Sequence, residues 1–104
     1  METEQVINKT VTVGTDPVTV MPEQYGDCEY IELTVSNQST AAQTIRFGPS
    51  DSDLSEGGGM IFNVGGFYSA SRSFGFPISK KQYMAVASAA GATLYVFARL
   101  KVNQ

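Results

Sequence analysis

The sequence predicts an all-β protein: one β-sandwich, jelly-roll-like domain of about eight short antiparallel strands. Three observations lead there. Apolar residues alternate with polar ones in several stretches, most cleanly in Thr93–Val102, as the two-residue period of a strand demands. Turn signals recur about every eight to fifteen residues. No stretch of about ten residues carries the 3.6-residue apolar period of a helix.

Residues 2–5 read as part of a flexible N-terminal tail, residues 1–5, ahead of the domain at 6–104. Val6–Val13 (VINKTVTV) is β-branched and forms the first strand, with Ile7, Val11 and Val13 inward and Lys9 near an edge. Gly14-Thr15-Asp16-Pro17 is a turn, and Val18–Met21 a short second strand ending at Pro22. Cys28–Ser36 is the third, with Ile31, Leu33 and Val35 facing the core and Tyr30, Glu32 and Thr34 facing out. Asn37-Gln38-Ser39-Thr40 closes a hairpin onto Ala42–Phe47. Gly48–Gly59 is an acidic loop with one apolar residue, Leu54, and loops of such length are often functional. Met60–Val64 is a short strand, Gly65-Gly66 a tight turn, and Phe67–Phe74 a mixed segment of aromatic and small residues. Gln82–Val102 reads as a central hairpin around Ala89–Ala92, with Leu94, Val96, Ala98, Leu100 and Val102 on one face.

Composition narrows function by exclusion. The 104 residues suffice for one self-supporting core. The net charge of -3 lacks the clustered positive field that nucleic acid needs, and no segment is apolar enough to predict a membrane span. The opening METEQVINKT has neither the basic nor the apolar region of a secretory signal. The single Cys28 cannot form an internal disulfide, and its neighbours Asp27 and Glu29 oppose thiolate formation. With no histidine, the commonest general base and most nucleophile pairs are missing. No enzyme activity and no cofactor are expected. Asp51, Asp53 and Glu56 loosely suggest calcium but do not match an EF-hand loop, and a solvated acidic loop is the preferred reading. Charged residues amount to 16%, and a surface so poor in charge is easier to desolvate against a partner.

Candidate contact residues are Pro49, Asp51, Asp53 and Leu54 in the loop, and Phe67, Tyr68, Arg72, Phe74 and Phe76 in the aromatic segment. For the aromatics, core filling competes with a protein contact face and with a stacking platform for sugars or bases. The N-terminal arm is a further candidate, through pairing with a neighbouring subunit.

The order of Tyr30–Asn37, Ile45-Arg46-Phe47-Gly48, Gly57–Tyr68 with its Gly65-Gly66, and the alanine-rich Tyr83–Val96 resembles small virion proteins of bacterial viruses, of the capsid decoration (cement) or minor capsid type. The resemblance spans residues 28–98. It implies a non-enzymatic structural protein made in the host cytoplasm and located in the virion. Its partners would be capsid protein or other virion subunits, and it would often form a homotrimer. A carbohydrate- or receptor-binding β-sandwich, as in a phage fibre or spike, is the alternative, with Tyr68, Arg72 and the acidic loop at its site.

Overall fold

The computed structural model describes residues 2–23, 29–50, 54, 58–71 and 81–103. The expected tight hairpins around Asn37–Thr40 and Ala89–Ala92 are absent from it, because the strands on either side lie in different sheets. The eight strands are β1 (Glu2–Val13), β2 (Val18–Met21), β3 (Glu29–Asn37), β4 (Ile45–Pro49), β5 (Met60–Phe62), β6 (Phe67–Ser71), β7 (Tyr83–Ala87) and β8 (Ala92–Asn103). They form two four-stranded antiparallel sheets, ordered β1-β8-β3-β6 and β2-β7-β4-β5. Pairing is nested: β1 with β8, β2 with β7, β3 with β6, β4 with β5. Rolled into two sheets by the β8–β3 and β7–β4 contacts, this is the jelly-roll order.

Alternation explains why the sheets face each other. Leu94, Val96, Ala98 and Leu100 of β8 are all buried, as the sequence predicts, and Ala92, expected in a turn, is buried with them. They meet Leu33 and Val35 of β3 and, from the other sheet, Ile45, Phe47, Ala85 and Ala87 in a single core. Each large aliphatic side chain so buried contributes roughly 1.5–3 kcal/mol. Aromatic rings cross the gap. Phe47 lies parallel to Tyr83 (centroids 5.1 Å apart, planes at 7°) and meets Tyr68 of the opposite sheet at 6.1 Å. Tyr30 meets Tyr83 edge-on at 6.3 Å.

The missing hairpins have a physical reason. A strand with one apolar face can leave its sheet at the turn and bury the same face from the opposite side, and a period of two does not distinguish these routes. Residues 38–44 and 88–91 are therefore crossings between sheets, with Gly91 at φ 83° inside the second.

Three other expectations are corrected. Residues 2–5 belong to β1 rather than to a tail: β8 offers partners as far as Asn103, and Glu2 pairs with it. Tyr30 is buried and Ile31 only half-buried, the reverse of simple alternation, because a bulge between Tyr30 and Glu32 inserts one residue and shifts the parity. Gly48 and Pro49 extend β4 instead of opening the loop, because β7 supplies Met84 and Tyr83 opposite them. The expectations about Cys28, Asp51, Asp53, Glu56, Arg72, Phe74 and Phe76 fall outside the described residues.

Candidate contact edge

Large apolar side chains exposed among the described residues are Val6, Met60, Ile61, Val64 and Phe67. Four of these five belong to one eight-residue segment, from Met60 in β5 to Phe67 in β6. β5 and β6 are end strands of their respective sheets, so the segment runs over the flank where both sheets stop. Ile61, level with Arg46 and Val86, faces out of one sheet, and Phe67, level with Ser36 and Tyr95, faces out of the other, so the segment offers candidate contact residues on both sides of this flank.

Local chemistry explains the display. Asn63-Val64-Gly65-Gly66 is a tight turn closed by the Gly66 N–H donating to the Asn63 carbonyl at 2.8 Å. Gly65 takes φ 84°, the positive value that the third position of a type II turn requires. The turn does not close a hairpin; it carries the chain from one sheet to the other and leaves Val64 at its tip, 48% exposed. The Gly65 N–H and the Gly66 carbonyl bond the backbone of Asn37, at 2.8 and 2.9 Å, so the turn is anchored to β3.

Two hollows adjoin this segment. A hollow of about 330 Å³ lies on the outer face of the β2-β7-β4-β5 sheet, reaching from Ile61 past Arg46 to Val86, and is also lined by Leu54, Thr15, Thr44 and Ser88. A second, of about 270 Å³, lies beside Val64 and is bounded by Ala42, Gln43 and Thr44. Both are shallow and shared with solvent, which suits protruding side chains of a partner better than an enclosed small ligand.

The described candidates divide. Phe67 is 69% exposed and stands on the edge. Pro49 is half-buried in β4. Leu54 is buried, packed close to Gly59. Tyr68 points the other way from Phe67, into the core against Phe47, and burial pushes its hydroxyl pKa above the ordinary 10. The ring assigned to a sugar site is thus occupied by packing. Met60, Ile61 and Val64 were missed, although they lie between the two stretches singled out. The sequence carries no local mark of their exposure: Met60–Val64 reads as an ordinary short strand before a Gly-Gly turn.

Among the described residues, no three His, Cys, Asp or Glu side chains cluster as metal ligands, and no helix is long and apolar enough to cross a membrane. On the β1-β8-β3-β6 sheet, Arg99 of β8 bonds Glu4 of β1 at 2.5 Å and Glu32 of β3 at 3.4 Å. These contacts hold Glu4 below its usual pKa, chiefly through the hydrogen bond from Arg99, and raise that of Arg99.

No family model matches the sequence, and a comparison with curated proteins finds no match. Among solved structures, the chain is similar in fold to a Bacillus protein described under "Bacillus endospore appendages form a novel family of disulfide-linked pili". That match has a TM-score of 0.53 at 12% identity and covers 96% of this chain and 85% of the other. A looser likeness, TM-score 0.42 at 11% identity over 95% of this chain and 86% of the other, is to a mitogen derived from Yersinia pseudotuberculosis. At such identities the first likeness bears on the fold alone.

Proposed function

We propose that this protein is a non-enzymatic structural subunit that works through protein–protein contacts on a repeating assembly, with a virion capsid lattice as the assembly its sequence pattern resembles. The observation that supports this reading is the Met60–Phe67 segment, which crosses from one sheet to the other and carries most of the exposed large apolar side chains of the described residues, beside two shallow hollows. Apolar and aromatic side chains at the centre of a patch carry most of the free energy of a protein contact. On a lattice, many copies turn modest single contacts into stable decoration. That a pilus subunit uses a similar fold fits a role in assembly without specifying which one.

The test is co-sedimentation of the purified chain with undecorated capsid shells from the same source, together with the rupture temperature of the shells. The reading expects the wild type to pellet with the shells and raise their rupture temperature. It expects Ile61→Lys and Val64→Lys to lose binding by about tenfold or more while melting normally. A wild type that stays in the supernatant at saturating shell concentration would refute it.

A further inference from the structure

The outer face of the β1-β8-β3-β6 sheet is a second surface, separate from the edge except at Phe67. Its register places Thr10, Tyr95, Ser36 and Phe67 in one row across the four strands. Asn8, Phe97, Thr34 and Ser69 form the next row. Three of these eight side chains are aromatic and none is charged. Charge begins one row further along, where Arg99 sits between Glu4 and Glu32.

We infer that this face packs against the same face of a second copy of this chain, with Phe97 and Tyr95 at the centre of the contact; the inference rests on the reading of the protein as an assembly subunit.

Three features favour a second copy. The first is layout. Phe97 lies midway along β8, on a central strand, and the Glu4–Arg99–Glu32 group lies towards the end: aromatic centre and charged rim is the anatomy of a protein interface. The second is desolvation. Thr34 and Ser69 hydroxyls bond each other at 3.0 Å, and the Gln38 amide donates to the Ser36 hydroxyl at 3.0 Å. Hydroxyls already paired, across strands for Thr34 and Ser69 and along the chain for Ser36, cost less to cover than hydroxyls that only water satisfies. They also have less to offer a sugar, which would need them as free partners. The third is size. Four strands about 4.8 Å apart and about nine residues long span a projected area of roughly 500 Å², and side-chain relief brings this towards the roughly 800 Å² per side of a stable contact. A flat face used by both copies closes as a two-fold pair, which differs from the trimer expected from the resemblance.

Sedimentation equilibrium of the full chain across the micromolar range tests this. The expected result is a monomer–dimer equilibrium that Phe97→Thr, a β-compatible and smaller residue, weakens at least about tenfold. Thr10→Lys, which brings a charge into the neutral row at an exposed position without touching the core, should weaken it as well. Ile61→Lys should leave it unchanged. Circular dichroism melting of each variant shows that it folds. A wild type that stays monomeric overturns the inference, whether or not it melts higher with neutral oligosaccharide. So does a dimer that survives both face variants, or one that only Ile61→Lys disrupts. A dimer that forms normally while shells fail to bind would refute the lattice reading and leave the pairing intact.

Discussion

The Ser39 hydroxyl donates to the side-chain carbonyl of Asn37 at 2.6 Å, and both residues are buried. The same oxygen of Ser39 accepts the Thr93 N–H at 3.0 Å. The Asn37 amide nitrogen donates to the carbonyls of Gln43 at 2.8 Å and Phe62 at 3.2 Å. One buried pair thereby ties together the crossing at 38–44, the end of β5 and the start of β8, where the chain leaves the sheets and backbone groups have no ladder partners. Asn37→Ala should orphan two carbonyls and the Ser39 hydroxyl together, at a cost of about 3 kcal/mol. Urea unfolding should show it as a lower midpoint with an unchanged slope. Ser39→Ala, which removes fewer bonds, should cost about half as much.

Glycine offers a paired comparison. Gly59 and Gly65 have nearly equal positive φ, 81° and 84°. A Cβ at Gly65 would meet open space, whereas at Gly59 it would come within 2.8 Å of the Phe47 carbonyl oxygen and crowd the Leu54 side chain. Gly65→Ala should therefore cost only the backbone strain, about 1 kcal/mol, and Gly59→Ala about 2–3 kcal/mol. Equal losses of melting temperature would show that the Leu54 segment yields freely.

The core was readable wherever strand periodicity ran unbroken. From Leu94 to Leu100 every second residue of β8 is buried, and in β4 Ile45 and Phe47 are, as expected from their spacing. Reading failed where one residue changed the parity, at the Tyr30–Glu32 bulge, because a bulge carries no necessary sequence mark. It failed again on connectivity. Asn37 belongs to a run of turn formers that predicts a hairpin loop, yet its side chain is fully buried as the knot of a crossing. Of the contact edge, Phe67 was singled out and Ile61 and Val64 were not. Three-residue β5 has a single neighbour, and nothing local distinguishes an apolar residue on such an end strand from one on a central strand.

The Glu4–Arg99 pair makes a prediction about acid. The folded pKa of Glu4 lies below the ordinary 4.5, chiefly because Arg99 donates to it. A depressed carboxylate stabilises the fold above its unfolded pKa, and this contribution is lost as pH falls through the folded value. Glu4→Gln should flatten that part of the acid limb, starting near pH 4.5 and extending downward. Both side chains are well exposed, so the effect should be small and should fade at high salt. NMR titration of the Glu4 carboxyl gives the direct check: a midpoint at or above the ordinary value contradicts the pairing.

At the alkaline end the sign reverses for Tyr68. Burial against Phe47 raises its pKa above 10, so the neutral phenol is favoured in the fold. The stability this confers is complete below the unfolded pKa and is lost as pH climbs towards the folded value, because the unfolded chain ionises first. Tyr68→Phe keeps the ring and removes the ionisable group. It should hold its melting temperature better than the wild type between pH 10 and the raised pKa. Ultraviolet difference titration should show one fewer late-ionising phenol in the variant. If Tyr68 instead titrates at the ordinary value of 10, its ring is not packed between the sheets, and the inward turn of β6 that leaves Phe67 exposed would be wrong.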